Sequence, residues 1–479
     1  MGNKPNDVRR GALQPEEEAF AVHLRRLCGD DRVLTDRVDL EPYLTDERDY
    51  FRGAAEMVLL PRTTEEVSIL VRACAARGVR IVPQGGNTGL VGGAASAEGE
   101  AVLSLRRMNR IVDIDCESMT MTVEAGAILA NVCKAAEARG CLFPLSLGSS
   151  GSCQIGGNIA TNAGGSNVLR YGSMRELVLG LEVVLPDGRI WNGMRALYKD
   201  NTGYALRHLF VGSEGTLGVV TKAVLKLFDP PKGTTTAFCG LRSVEAAIAL
   251  FSLARRKVPG LLSAFELISG FSLEETCRHS GVAPPFKEEH AWYVLLTVSG
   301  GVDDAVLRDL SEDFLGASFE QGLVDDAIIA ESLAQSQTLW ALREAIPEAE
   351  KMLGQTTKHD IALPLSKIAP FLAEAESRLL ATFPDLMISV FGHLGDGNLH
   401  YNVCLPEVGS MGGDWRDSVA DVVYSIVGQY NGSVSAEHGI GKLKGMLLRQ
   451  HKTAVELDLL ERIKASIDPD GQLNPGKML

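Results

Sequence analysis

From residue 56 onward the apolar positions switch repeatedly between two periods. Residues 56–60 form a short apolar run ending at Pro61, which reads as a strand. Next, Val67, Leu70, Val71 and Cys74 recur at the i, i+3, i+4, i+7 spacing of a helix face, with Thr63 or Thr64 placed to cap its start and Gly78 to end it. Residues 79–82 give the following strand, and more are expected at 101–105, 111–115, 119–123, 177–185 and 218–227. Asp229-Pro230-Pro231-Lys232-Gly233 breaks this pattern and is the best linker signal in the chain. Beyond it, strands (292–298 among them) alternate with amphipathic helices to about residue 430. A last helix is expected at 453–467, stopped by Asp468-Pro469; its Val455, Leu459, Ile463 and Ile467 share one stripe that should pack inward. No repeat of solenoid period interrupts this order. The pattern divides the chain into a charged helical leader (1–52), a first α/β segment (53–232), a second (233–425) and a C-terminal segment (426–479).

Composition narrows the class. The 479 residues are 45% hydrophobic and 23% charged, the balance of a globular chain with material for two or three domains. With 61 acidic against 47 basic side chains the net charge is −14, which argues against nucleic acid or an anionic membrane as main partner. No apolar run reaches the roughly 18 residues of a spanning helix, and the first residues lack the apolar stretch of a secretory signal. Nine scattered cysteines with no CxxC suit reduced thiols in a cytoplasmic protein better than disulfides or a cysteine-ligated zinc.

The 50 glycines exceed the roughly 7% of an average chain, and they bunch between structured segments. Pro83-Gln84-Gly85-Gly86-Asn87-Thr88-Gly89-Leu90 follows a strand, and its glycines let successive N–H groups turn inward into an anion site that needs no lysine. A second loop runs from Gly148 through Cys153, Gly156 and Gly157, then to Asn162, Gly164 and Gly165. Its small residues allow close approach of a large ligand. Either loop alone could be a tight surface turn; two in one domain are harder to dismiss. Neither is a strand–GxGxxG–helix fingerprint, and no GxxxxGK[ST] is present, which disfavours NAD or ATP enzymes of the usual kinds.

The second chemical feature is a hairpin, 389–402, carrying His393, His400 and Asn402 around Asp396-Gly397. With Asp396 and Gly397 as a two-residue tip, His393 should face His400, and Phe391 should face Asn402. Directly opposed residues have Cβ atoms about 4.5–5.5 Å apart, so two imidazoles there can converge on one cation. A histidine pair that merely fills a half-buried sheet is the plainer alternative. Downstream, Glu437-His438 sits between glycines in 432–445 and can offer a carboxylate ligand and a free base, or be an ordinary exposed turn.

The strings PQGGNTGLVGG, GGNIATNAGG and VGSEGTLGVVT, with GHLGDGNLH and EHGIGKLK, resemble the vanillyl-alcohol oxidase superfamily. Within it the chain most resembles the FAD-linked D-2-hydroxyglutarate dehydrogenase branch, with the D-lactate dehydrogenases as near relatives, and the likeness covers about residues 40–479. It implies an α+β fold: a two-part FAD-binding domain, an α+β substrate (cap) domain and a C-terminal helical segment that returns to the flavin. It assigns the FAD pyrophosphate to the first loop and the flavin ring end to Pro144, Gly148, Cys153, Gly156, Gly157, Asn162, Gly164 and Gly165, with Asn474 as a further contact. The first loop has no histidine, which suggests non-covalent FAD. The same likeness makes His393, His400 and Glu437 zinc ligands, His438 the catalytic base, and Arg343, Lys358 and Asn402 the substrate's partners. Relatives often have Ser where Ala362 stands, and a Trp within the stretch 46–53.

The reaction so implied is oxidation of a small D-2-hydroxy acid, D-2-hydroxyglutarate first and D-lactate second, by hydride transfer to flavin N5. Electrons would then pass to an electron-transfer flavoprotein or a quinone, and a homodimer fits the relatives. Two readings from other classes remain: a flavin-free zinc hydrolase built on the hairpin, and a non-catalytic flavin-binding subunit.

Overall fold

The computed structural model describes residues 15–47, 50–405 and 415–479. Residues 1–14 and 48–49 of the expected leader, and 406–414 of the second segment, lie outside the described residues.

The first sheet holds β1 (Val33–Leu34), β2 (Met57–Leu59), β3 (Arg80–Gln84) and β4 (Glu100–Ser104), in spatial order β1-β2-β4-β3. Strands β2, β4 and β3 run parallel, joined in part by the helix Thr64–Arg77. That helix forms where the apolar period predicts. Thr63 accepts the Glu66 N–H, Gly78 closes the end in the left-handed conformation, and Val67, Leu70, Val71 and Cys74 are buried. The second sheet is antiparallel: β5 (Ile111–Asp115), β6 (Thr120–Glu124), β7 (Val178–Val184), β8 (Ile190–Gly193) and β9 (Val219–Lys226), in order β5-β6-β9-β7-β8. One apolar core joins these two sheets, running from Phe20 to Leu227 and taking in Leu473 from the C-terminal tail.

Past the proline-rich linker lies a seven-stranded antiparallel sheet: β10 (Gly233–Leu241), β11 (Leu262–Ser269), β12 (Trp292–Gly300), β13 (Asp326–Ile329), β14 (Gln355–Ala362), β15 (Met387–His393) and β16 (Asn398–Leu405). Their spatial order is β13-β10-β12-β11-β15-β16-β14. Helices Val244–Lys257, Asp304–Glu320, Leu365–Thr382 and Trp415–Gln429 contribute to a large core that includes Phe265, Leu399 and Tyr401. Helices Gly270–Ser280 and Leu333–Ala349 pack with Phe238, Ile268 and Phe391 in a separate cluster. Because strand side chains alternate, Phe391 shares its face with His393 and, across the sheet, with His400. The histidines therefore stand at the edge of this second layer.

The C-terminal helix Ala454–Ile467 forms, capped by Thr453, but of its predicted apolar stripe only Ile467 packs inward, against the first core. Val455, Leu459 and Ile463 are 69%, 53% and 37% exposed. The helix is held instead through Lys464, whose ammonium donates to the carbonyls of Thr216 and Leu473 and to Asp468. Among the described residues, no helix is long and apolar enough to cross a membrane.

Candidate active site

The two glycine loops press on each other. A Cβ on Gly86 would lie 2.2 Å from the Ser152 carbonyl oxygen, and one on Gly85 would touch the Gly157 backbone at 3.4 Å. Only glycine admits that approach at Gly86. Gln84, at the end of β3, donates through Nε2 to the Tyr43 carbonyl, and Asn87 (φ 57°) donates to that of Thr45. Pro83 lies within β3, opposite Leu103; beyond it Thr88 and Leu90 are half-buried and Gly89 is exposed. In the second loop, Pro144 accepts from Asn167, Cys153 is buried, and Gly156 rests on Ala125. Asn162 (φ 52°) accepts from Ser173 Oγ and the Arg175 N–H.

The tail closes this region. Asn474 donates through Nδ2 to the carbonyls of Gly93 (2.9 Å) and Glu214 (2.7 Å). Glu214 is 9% exposed, and its carboxylate accepts from the N–H groups of Ile440 and Gly441, both at 2.7 Å. Burial pushes that carboxyl upward from its ordinary value. The region fits a long polar cofactor. Ser104 Oγ, Gln154 Oε1 and Asn474 Oδ1 are buried with no hydrogen-bond partner, and a Cβ on Gly89, Gly148, Gly151 or Gly157 would meet nothing within 4 Å.

The hairpin differs from the expected register. His400 pairs with Phe391, and Asn402 with Ser389, so His393 does not face His400. A 3-10 turn, Leu394–Asp396, replaces the two-residue tip, with Gly397 left-handed at φ 83°. Leu394 is buried, and a Cβ on Gly397 would lie 2.2 Å from the Leu363 oxygen, so packing against that strand end sets the longer turn. His393 instead lies opposite Glu266 of β11.

The histidines nonetheless converge. Ligand atoms of His393, His400 and Glu437 lie within 4.8 Å of one another. His393 Nε2 is 3.7 Å and His400 Nε2 is 3.8 Å from the Glu437 oxygens. Those separations are close to the edge of about 3.4 Å expected for tetrahedral ligands on zinc, so the three can hold a cation. Glu437 also accepts the Gly165 N–H at 2.9 Å, which ties this cluster to the second glycine loop.

Buried acids absent from the predicted set hold the cluster in place. Glu266, 1% exposed, lies 2.6 Å from His393 Nδ1 and accepts Arg343 Nε–H at 2.8 Å. Burial drives the Glu266 carboxyl up, but His393 and Arg343 outweigh it and hold it at about 2. Burial lowers His393, and Glu266 more than reverses this, to about 9. The carboxylate thereby turns the Nε2 side of the ring toward Glu437. The Arg343 guanidinium also lies 4.7 Å from the Phe391 ring centre.

Asp360 does the same for the Glu437-His438 turn. Its Oδ2 accepts the N–H groups of Ala436 (3.2 Å), Glu437 (2.9 Å) and His438 (2.9 Å), and its Oδ1 accepts Asn398 Nδ2 (2.9 Å). Burial opposes that charge, yet His438 and His400 keep the carboxyl well below its usual range. Burial pushes His400 down, favouring the neutral ring. The His438 ring lies 6.1 Å from that of His400, with Nδ1 3.7 Å from Asp360. Lys358 and Asn402 are cross-strand partners on the same face, and both contact the buried Glu350. Glu266 had one sequence signal, an acid inside the apolar run Leu262–Ser269; Glu350 had none.

Paired glycine loops beside a histidine-bearing antiparallel sheet define a flavin-linked oxidoreductase. Residues 55–193 match the family described as FAD binding domain, and residues 230–478 match FAD linked oxidases, C-terminal domain. The fold is that of the vanillyl-alcohol oxidase type. It resembles p-cresol methylhydroxylase with substrate bound (TM-score 0.76, 17% identity, 98% of each chain covered). It also resembles 4-ethylphenol oxidase from Gulosibacter chungangensis in complex with isoeugenol (TM-score 0.73, 19% identity, 98% of each chain). In sequence it is 40% identical over 451 residues to D-2-hydroxyglutarate dehydrogenase of Xanthomonas citri pv. viticola, covering 93% of this chain and 94% of that one. It is 37% identical over 459 residues to the mitochondrial D-2-hydroxyglutarate dehydrogenase of Arabidopsis thaliana (95% and 81% covered), and 40% over 450 residues to that of Bos taurus (94% and 81%). The chain belongs to the FAD-linked D-2-hydroxyglutarate dehydrogenase family.

Proposed function

We propose that the protein oxidises D-2-hydroxyglutarate to 2-oxoglutarate in a reaction dependent on FAD and zinc. The observation that carries this is the bond between Glu437 and Gly165, which joins the cation-competent cluster to the loop assigned to the flavin ring. Bound FAD would supply the two-electron acceptor for the hydrogen leaving C2, and a zinc ion held by His393, His400 and Glu437 would make the substrate hydroxyl more acidic. The chain's own residues provide the rest. His438, on a turn fixed by Asp360, takes the hydroxyl proton. Arg343 fixes the acid through a carboxylate, its guanidinium held by Glu266. Lys358 and Asn402 meet the far end of the substrate. With no dinucleotide fingerprint for NAD, electrons leave for an external acceptor, an electron-transfer flavoprotein or a quinone, in the cytoplasm. A homodimer is compatible with this arrangement. A preference for D-lactate is the second reading, favoured by the carboxylate of Glu350 at the far end.

Anaerobic addition of D-2-hydroxyglutarate to the yellow protein tests the proposal. The flavin band should bleach, the bleaching should stop after chelation and dialysis, and added zinc should restore it. Colourless protein that takes up no FAD, or full bleaching by metal-free protein, would overturn the corresponding part.

A further inference from the structure

Glu350 opens the 3-10 turn Glu350–Leu353, directly after the helix that carries Arg343, and it is 2% exposed. Its two carboxylate oxygens accept Asn402 Nδ2 at 2.9 and 3.0 Å, and Lys358 Nζ donates to Oε2 at 2.8 Å. Asn402 Oδ1 is engaged as well, by the His359 N–H at 3.2 Å. Lys358 and Asn402 pair across β14 and β16. They stand two residues along from His400, a step of about 6.6 Å that a four- or five-carbon acid can bridge. A carboxylate of the chain itself thus already sits on the two donors assigned to the substrate's far end.

We propose that Glu350 is a specificity-determining residue: it makes the distal subsite charge-neutral, so the enzyme accepts D-2-hydroxy acids with an uncharged tail at least as well as a dicarboxylate. This rests on the reading that Lys358 and Asn402 face the substrate's far end. The cause is electrostatic. A second carboxylate within about 5 Å of Glu350 shares one ammonium with it, and at an effective dielectric near 20 the repulsion amounts to about a 300-fold penalty, or about 10-fold after solvent screening.

Two comparisons test it, both read as kcat/KM for flavin reduction. In the wild-type protein, D-2-hydroxyglutarate and its distal monoamide should be used within about threefold of each other, or the amide better; a tenfold or larger preference for the dicarboxylate overturns the proposal. In Glu350→Gln the ratio of D-2-hydroxyglutarate to D-lactate should rise at least tenfold, mainly through a lower KM for the dicarboxylate. An unchanged ratio, or parallel losses on both substrates, marks a merely structural role and overturns it. Should Glu350→Gln fail to fold, the amide comparison decides alone. Failure of the wild type to reduce its flavin with any D-2-hydroxy acid would refute the underlying reading instead.

Discussion

Asp360→Asn isolates the link between the buried acids and the chemistry, because Asp360 stands behind the turn carrying Glu437 and His438. Its Oδ2 receives three backbone N–H groups from residues 436–438, and the residue is 1% exposed. An asparagine there keeps one acceptor oxygen. Its amide nitrogen would point donors either at those N–H groups or at Asn398 Nδ2, which donates to Oδ1 at 2.9 Å. Hydrogen bonds to a charged acceptor are worth about 1.5–3 kcal/mol each, and stranding one or two buried donors costs about 3–5 kcal/mol in all. The turn escapes that cost by moving off the sheet, and a displacement of about 1 Å at a catalytic group can lower a rate about 100-fold. The glycine loops pack in a different core and meet this turn through the Glu437–Gly165 bond, one contact among the many that form the cradle, so FAD should stay bound. The assay is stopped-flow flavin reduction by D-2-hydroxyglutarate, with the visible spectrum as a check on cofactor content. At least a 100-fold slower reduction at normal FAD content is expected. Reduction within threefold of wild type would refute the claim that Asp360 positions His438.

Gly165→Ala addresses the cradle: at φ +85° a Cβ would lie 1.9 Å from the Ser146 oxygen, so the variant should lose more than about 3 kcal/mol locally and purify with little FAD. Wild-type absorbance and melting temperature would contradict the role given to that loop. Glu266→Gln should change acid stability in the metal-free protein. With burial overcome by His393 and Arg343, the folded pKa is about 2 against an ordinary value of 4.5, so the stabilisation, about 3 kcal/mol, is present above pH ~4.5 and lost as pH falls through about 2. Urea titrations of both proteins should show a gap that shrinks below pH ~4; a constant gap would mean that the carboxylate's charge does not stabilise the fold.

Local patterns carried much of the fold. The helix Thr64–Arg77 was legible because its spacing, cap and terminating glycine all agree, and no distant contact competes with them. The stripe Val455, Leu459, Ile463 was equally regular and pointed the wrong way. Periodicity says that a helix has an apolar side; it does not say which side the neighbours cover. Here Lys464 reaches the carbonyls of Thr216 and Leu473, and these polar bonds fix the helix with only Ile467 of the stripe against the core and the other three positions in solvent. Glu350 and Asp360 were missed as site residues for a related reason. A buried acid is recognised by the donors around it, and key ones arrive from far along the chain: Asn402 is 52 positions from Glu350, and Glu437 is 77 from Asp360.

The hairpin shows why a wrong register still left His393, His400 and Glu437 close together. The expected two-residue tip set His393 against His400; the 3-10 turn moves the pairing by two residues, to Phe391 against His400. Side chains alternate with a period of two, so a two-residue shift leaves every residue on its original face, whereas a shift of one would have sent His393 to the opposite side. The shift also changes its neighbour. Freed from His400 across the strand pair, His393 lies beside Glu266 on β11, and that carboxylate aims the ring at Glu437. Face membership, which the sequence pattern carries, put the two histidines on one side of the sheet. The orientation of His393 came from β11, a strand more than a hundred residues earlier in the chain, and that of the Glu437 turn from Asp360 on β14; no local motif could have announced either.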